Sequence, residues 1–257
     1  MLQSTFSFSD VRKIVPGDAL LSESFLAGVS RAHHAKGVVV DAPSGSKAIV
    51  CAAGEVDPTH YVDSKTSSVF QYNHLTNVAS EDSTQCPVDE ALELKRAAIQ
   101  SSLDTYVSNF YASADSAAGV FTKDGNIVIV MVGEKKNLRN FWSGKWTSSW
   151  TIDASLNMTG ELKVHAHYFE DGNVQLQSSR SFPSTSVAAG SDIEIAAAVE
   201  KQIKDSENSV QRGLGEMYLN MNEETFKSMR RTMPITRTKM EWNVNAVRMV
   251  RQVQKKP

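Results

Sequence analysis

The sequence predicts an α+β fold in which a single antiparallel sheet is covered by a long helix. Residues 88–111 and 191–221 place apolar side chains three and four positions apart, which is typical of one face of a helix. Between them, residues 117–178 contain β-prone runs separated by turn residues. Consecutive hairpins of this kind give a meander of four or five strands, and we expect its second face to meet solvent or a partner.

The chain before this body is predicted to form two smaller parts. Residues 1–36 should be a shortened N-terminal helical stalk that breaks at Pro16-Gly17, where Asp18 or Ser22 could cap its second half. Residues 37–85 should be a small β-rich region, with two β-prone runs around the turn residues Pro43-Ser44-Gly45 and a further short strand in SSVFQYNHL. The polar stretch VASEDSTQCP that follows is predicted to be a loop.

Two local signals mark elements within residues 86–226, which we predict to be the dimerisation body. Asp124-Gly125 lies between two β-prone runs, and this dipeptide is typical of a two-residue hairpin turn. Ser191 precedes the second long helix and Glu194 follows three residues later, which is the pattern of a capping box.

The motifs of common enzyme and cofactor sites are absent from the sequence, so we predict a protein that is not an enzyme and binds no cofactor or metal. His165 and His167 should share one face of a strand, but two ligands do not complete a metal site. His33 and His34 at a helix end are predicted to be surface residues. Glu170-Asp171 is predicted to form part of a turn.

The two cysteines, Cys51 and Cys86, fit neither a CxxC unit nor a disulfide framework and are predicted to be reduced thiols. The N-terminus lacks the order of charges and apolar residues of a secretory signal, and no apolar run is long enough to span a membrane. Together these features predict a cytoplasmic protein without a transmembrane segment.

An aromatic cluster lies in the middle of the predicted sheet. Its members alternate with two basic residues and are Phe141, Trp142, Trp146 and Trp150, with Arg139 and Lys145 between or beside them. Such a pattern could bind single-stranded nucleic acid by stacking. Because the three tryptophans are four residues apart on one strand face, we interpret them as part of a core or an interface.

The charge of the chain is divided unevenly, although its formal net charge is only −2. From Lys227 onward there are nine basic residues and one acidic residue, Glu241, so this tail carries +8 and residues 1–226 carry −10. A basic tail on an acidic body indicates an anionic partner for the tail.

The tail, residues 227–257, is also amphipathic. Pro234 breaks the helical pattern because proline has no N–H and restricts the residue before it. Apolar residues recur on both sides of this break: Met229, Met233, Trp242, Ala246, Met249, Val250 and Val253. A short basic amphipathic helix is marginally stable alone, so we expect it to place its apolar face in a groove of a partner. The alternative is a last helix packed on its own core.

Three stretches of the chain resemble those of one family. TFKSMRRTMPITRTKMEWN, NFWSGKWTSSW and VHAHYFEDGNVQL are similar, in order and spacing, to segments of the F-actin capping protein (CapZ) α subunits. DALLSESFLAGVSRAHH and FQYNHLTNVAS match more loosely, so the resemblance runs from about Phe8 to Val253.

This resemblance implies a partner and a site. In the family, the α subunit pairs with a β subunit of similar fold into one continuous sheet, and the C-terminal segments of both cap the barbed end of an actin filament. The family's basic contacts fall on Lys227, Arg231 and Arg237, with Arg230 and Lys239 as neighbours. Trp242 matches a tryptophan in the C-terminal tail of the family and is expected to be the main apolar anchor.

We therefore expect an actin barbed-end capping subunit of the cytoplasmic actin cytoskeleton that acts as an α/β heterodimer, with a self-paired homodimer left open. One alternative is a membrane-surface module whose tail binds phosphoinositides, which in the family oppose capping. The other is a nucleic-acid-binding protein, against which the acidic body argues.

Overall fold

The computed structural model describes residues 23–85, 90–111, 115–169 and 173–220. The predicted α+β class is confirmed, and its sheets are antiparallel. The helices are α1 (Glu23–His34), α2 (Glu90–Phe110) and α3 (Asp192–Asn220). The strands are β1 (Val38–Asp41), β2 (Lys47–Val50), β3 (His60–Asp63), β4 (Ser68–Asn73), β5 (Val78–Gln85), β6 (Asp115–Lys123), β7 (Asn126–Asn137), β8 (Trp142–Ile152), β9 (Asn157–Tyr168) and β10 (Val174–Ser186).

The largest sheet has five strands that follow one another in chain order, from β6 at one edge to β10 at the other. The predicted turn at Asp124-Gly125 is confirmed, because Lys123 pairs with Asn126. Asp124 and Gly125 both have positive φ, at 52° and 74°. Two consecutive positive φ values characterise the turn whose twist matches that of the two flanking strands.

One face of this sheet is covered by two helices, where the sequence predicted one long helix. Four buried residues of α2 pack against it: Ile99, Leu103, Tyr106 and Val107. The first part of α3 contributes Ile195, Ala196, Val199 and Ile203 to the same core. The strands contribute Ile129, Met131, Trp150 and Met158, among others. The predicted stripe of α2 and the first part of the predicted stripe of α3 therefore face one core.

The second face of the sheet is not left entirely to solvent or a partner, which corrects that expectation for part of the face. Ile49 and Cys51 of the small β region pack there against Phe121, Val130 and Val132. In addition, the Lys145 amine donates a hydrogen bond of 2.6 Å to the backbone oxygen of Gly37. Residues 37–51 thus cover the end of the face formed by β6 and β7.

The small β region contains two sheets, a two-stranded one of β1 and β2 and a three-stranded one in the order β3-β4-β5. The hairpin around Pro43-Ser44-Gly45 and the strand at 68–73 are confirmed. The loop predicted from VASEDSTQCP is wrong over residues 78–85, which form β5 and pair with β4. This strand lies at a sheet edge, where Ser80 and Glu81 face solvent, so its polar composition hid it.

The start of α3 confirms the predicted capping box. The Ser191 backbone N–H and hydroxyl both donate to a Glu194 carboxylate oxygen, at 2.8 and 2.9 Å. These bonds satisfy groups that a helix N-terminus leaves unpaired. They also hold the pKa of the Glu194 carboxyl below its ordinary value.

The chain divides into two compact units, residues 1–203 and residues 204–257. In the second unit the structure describes residues 204–220, which continue α3. The predicted break at Pro16-Gly17, its caps Asp18 and Ser22, the turn at Glu170-Asp171 and the thiol of Cys86 lie outside the described residues. Across the described ranges, no helix is long and apolar enough to cross a membrane.

Candidate functional site

The twelve tail residues predicted to bind actin or anchor the tail, from Lys227 to Val253, lie outside the described residues. The other predicted function of the chain is dimerisation through the sheet. An open sheet edge and an uncovered apolar surface are the features that such a function requires, and both can be examined in the five-stranded sheet.

The β6 edge of this sheet is closed by side chains from α2. The Gln100 amide nitrogen donates to the Ala118 oxygen at 3.0 Å, and its amide oxygen accepts from the Val120 N–H at 2.8 Å. The Arg96 guanidinium donates to the Val120 oxygen at 3.2 Å. Three backbone groups in the middle of β6, the Ala118 oxygen and the N–H and oxygen of Val120, therefore already have side-chain partners.

The β10 edge differs from the β6 edge. Within the described part of the chain, β10 pairs only with β9, and 10 of its 13 residues are exposed. The pairing shifts register between Phe182 and Thr185, next to Pro183. Proline and register shifts are typical of edge strands, yet residues 174–182 pair with β9 in regular register. This regular part of β10 can accept a further strand.

An apolar patch continues the helix-covered face toward the first residues of β8 and β10 and the last residues of β9. The strand register places its members on that one face: Trp142, Trp146, Val164, Ala166, Tyr168, Val174 and Leu176. Val174 is 65% exposed and Tyr168 is 41% exposed, whereas Trp150 further along β8 is 2% exposed. The apolar patch is thus a continuation of the core face that the described helices leave partly uncovered.

The indole N–H of Trp146, in this apolar patch, is buried and has no hydrogen-bond partner among the described residues. Buried tryptophan N–H groups usually find an acceptor, since leaving one unpaired costs free energy. The interpretation of the tryptophan cluster as core or interface is supported: Trp150 belongs to the core and stacks on Phe182 with ring centroids 5.1 Å apart.

The opposite face of β9 is polar. His165 and His167 share it as predicted, with nearly parallel rings whose centroids are 6.4 Å apart. His167 also bonds to the Asn173 side chain at 2.8 Å. Throughout the ranges that the structure describes, no three His, Cys, Asp or Glu side chains gather closely enough to hold a metal ion.

A histidine pair joins α1 to the three-stranded sheet, and the expectation that His34 is a surface residue is wrong. The Nδ1 atoms of His34 and His74 lie 2.9 Å apart, and their rings stack with centroids at 5.2 Å. His74 also lies 3.0 Å from the Tyr61 hydroxyl. Burial is the main cause, and the nearby His74 the second, of a lowered pKa of His34, which falls to about 4. Burial also lowers the pKa of His74. Both rings are therefore neutral near pH 7.

The model of the F-actin capping protein alpha subunit family matches residues 4–252. The chain belongs to this family. The resemblance found in the three sequence stretches is thereby confirmed, and the match includes most of the basic tail as well as the body.

Two relatives and one solved structure illustrate the similarity of this chain to other members of the family. The F-actin-capping protein subunit alpha of Dictyostelium discoideum is 32% identical over 244 residues, which cover 91% of this chain and 85% of that protein. The subunit alpha of Neurospora crassa is 31% identical over 79% of this chain and 73% of that protein. The homodimeric actin capping protein alpha subunit from Plasmodium berghei has the same fold, with a TM-score of 0.74, 22% identity, and coverage of 89% and 90% of the two chains.

The Gln100 contacts and the histidine pair were not predicted from the sequence. Gln100 lies 18 and 20 residues before its backbone partners, and His34 lies 40 residues before His74. Pairs at such separations leave no periodic pattern in one sequence. One local feature could have drawn attention to Gln100: it lies on the buried side of α2, where the helical pattern favours an apolar residue.

Proposed function

We propose that this chain is a non-enzymatic capping subunit of the actin cytoskeleton, which blocks addition and loss of actin at the filament barbed end. It acts in the cytoplasm as one half of a dimer, through its basic C-terminal tail. The observation that carries the proposal is the family match, which spans residues 4–252 and so includes the sheet and most of the tail.

The dimer in this proposal forms at the β10 edge. A partner strand beside β10 would extend the five-stranded sheet, and main-chain hydrogen bonds would supply part of the affinity. Because the β6 edge is closed by Gln100 and Arg96, β10 is the edge left for this pairing. We propose a β-type capping subunit as the partner, and self-pairing is the alternative that the test distinguishes.

The apolar patch supports the same surface. Helices of the partner could cover Tyr168, Val174 and Leu176 once the two sheets are joined, which would remove apolar area from water. A polar group of the partner could also accept a hydrogen bond from the Trp146 indole N–H. Both features are accounted for by a partner at the β10 side.

In the proposed capped state, the tail contacts actin through two kinds of side chain. Lys227, Arg231 and Arg237 pair with acidic groups of actin and speed encounter, since charge complementarity acts mainly on the association rate. Trp242 and the apolar residues beyond it form an amphipathic helix that fills a groove, and a buried aromatic residue typically dominates such an interface. The +8 charge of the tail supports the first role.

Filament elongation tests the proposal. Actin is elongated from seeds whose barbed ends alone are free, in the presence of the full chain, with and without a β-type subunit. We expect inhibition at substoichiometric amounts relative to actin monomer when the partner is present. Inhibition by the chain alone would instead indicate a self-paired dimer. If elongation is unaffected in both cases, the capping function is wrong.

The same tail favours a second, regulatory property. Nine basic residues among apolar ones suit the surface of a membrane that contains anionic lipids. We propose that phosphoinositides compete with actin for Lys227, Arg230, Arg231, Arg237 and Lys239. Vesicles that contain phosphoinositides should then relieve capping, whereas vesicles of neutral lipids should not.

A further inference from the structure

The Gln100 side chain occupies the place of a neighbouring β-strand. In an antiparallel ladder, a residue donates its own N–H to the neighbouring strand and accepts a hydrogen bond at its own C=O from that strand. The Gln100 amide supplies the same complementary pair, a donor to Ala118 and an acceptor from Val120. Helix α2 packs on the face of the sheet, and through Gln100 it also occupies hydrogen-bonding groups at the β6 edge.

The amide is held in a fixed orientation. Its second N–H donates to the Asp104 carboxylate at 3.1 Å, and Asp104 in turn pairs with the Lys65 amine at 3.0 Å. The three hydrogen bonds, to Ala118, Val120 and Asp104, fit only one orientation of the amide. In a flipped amide, the Gln100 oxygen would face the Ala118 and Asp104 oxygens. Gln100 is 5% exposed, so water does not compete for these bonds.

Arg96 extends the closure by one more backbone group. It is 7% exposed and donates to the Val120 oxygen and, at 2.7 Å, to the Ser64 oxygen of the small β region. Two hydrogen bonds to the Glu93 carboxylate, at 2.6 and 2.7 Å, fix its guanidinium. Gln100 and Arg96 together form what we call the edge closure of β6.

We propose that this edge closure, and Gln100 above all, limits pairing of the sheet to its β10 side and so makes assembly end at two chains. A chain with one open edge can pair only once, which gives a closed dimer. A chain with two open edges can pair on both sides, and such contacts continue into larger assemblies. The occupant that the edge closure excludes from β6 is a second copy of this chain. This inference rests on the proposed dimerisation at β10.

The test replaces Gln100 with methionine in the full chain, prepared in whatever assembly the unmodified chain forms. Methionine has a similar length and suits a helix, but it cannot pair with Ala118 or Val120. We expect Gln100→Met to form species larger than the unmodified assembly, in a proportion that rises at least severalfold over a tenfold increase in concentration. Light scattering after size exclusion measures their mass.

Ser102→Ala is the matched control. Ser102 lies on the same helix and bonds to Glu200, so this variant also loses a half-buried hydrogen bond, but away from the β6 edge. It should keep the mass of the unmodified assembly. If Gln100→Met is folded by circular dichroism and also keeps that mass at every concentration, the inference is wrong.

A second measurement needs no variant and decides the matter if Gln100→Met does not fold. Amide hydrogen exchange of the unmodified chain should show the Val120 N–H protected to a degree similar to that of Ile129, an interior strand residue, although among the described residues β6 has no strand on the side away from β7. Rapid exchange of Val120 would overturn the edge closure. Neither measurement involves actin, so failure of the capping assay leaves both results interpretable.

Discussion

The histidine pair makes the stability of the chain depend on pH at the level of two side chains. Burial lowers the pKa of His34 to about 4, compared with about 6.5 in an unfolded chain. The unfolded state therefore takes up a proton first as the pH falls. Stability from the neutral pair is fully present above about pH 6.5 and is lost progressively as the pH falls toward 4.

We expect the free energy of unfolding to fall by about 1 kcal/mol more between pH 7 and pH 5 in the unmodified chain than in His34→Gln. This change in the free energy of unfolding is well below what the full difference in pKa between the folded and unfolded states would give, because His34 is partly accessible to water. Urea unfolding at a series of pH values measures it. His165→Gln, at an exposed strand position, is the control for the loss of one imidazole.

Gly160 is a second position where a single residue is critical for packing, because its lack of a side chain leaves room for the Trp150 indole. A Cβ added there would lie 2.1 Å from a ring carbon of Trp150, whose opposite register partner it is. Trp150 also stacks on Phe182 of β10, so a displaced indole would disturb three strands.

Gly160→Ala should therefore destabilise the fold by about 1–3 kcal/mol, the usual cost of overpacking a core. Gly144→Ala is the matched control, since Gly144 lies in β8 on the same face and a Cβ there would meet no atom within 4 Å. Denaturant unfolding compares the two variants. Equal stability of the two would show that the Trp150 ring adjusts without cost.

At the scale of elements, the proposed dimer depends on the edge strand β10 and its apolar patch. Leu176 is half-buried on the patch side, whereas Gln175 points to the polar face of the same strand. Leu176→Asp should raise the dimer dissociation constant by about tenfold or more, because burying an unpaired carboxylate costs about 2 kcal/mol or more.

Gln175→Asp introduces the same charge one residue away and should change the dimer dissociation constant little. Sedimentation at several concentrations compares both variants. Equal weakening by the two substitutions would mean that the patch face takes no part in the dimer interface.

The elements differ in how far the sequence could predict them. The hairpin at Asp124-Gly125 and the capping box at Ser191 are encoded by neighbouring residues, and both were predicted correctly. β5 was missed because it is a polar edge strand, and its hydrogen bonds come from β4 rather than from its own pattern. The closed β6 edge depends on a side chain 20 residues from Val120, so no local rule could indicate it.

At the scale of the whole molecule, charge separates the acidic body from the basic tail. Lys227→Ala, Arg231→Ala and Arg237→Ala together should slow capping-complex formation severalfold at low salt, and the difference should shrink as salt screens the charges. The dissociation rate should change less. Capping kinetics at two ionic strengths measure both rates.

A control with the same loss of charge combines Lys135→Ala, Arg139→Ala and Lys201→Ala, at exposed positions of the body. This variant should retain the association rate to within a small factor. If it slows capping as much as the tail variant does, overall charge rather than the tail determines the rate.

Three of the four tryptophans of the chain lie in β8. Trp150 reports on the packed core, while Trp142 and Trp146 lie in the apolar patch that a partner would cover. The indole emission of the protein therefore comes mainly from one strand, and it should shift to shorter wavelength when the patch is removed from water. With Trp242→Phe, the remaining fluorescence becomes an internal optical signal of subunit association that needs no attached dye.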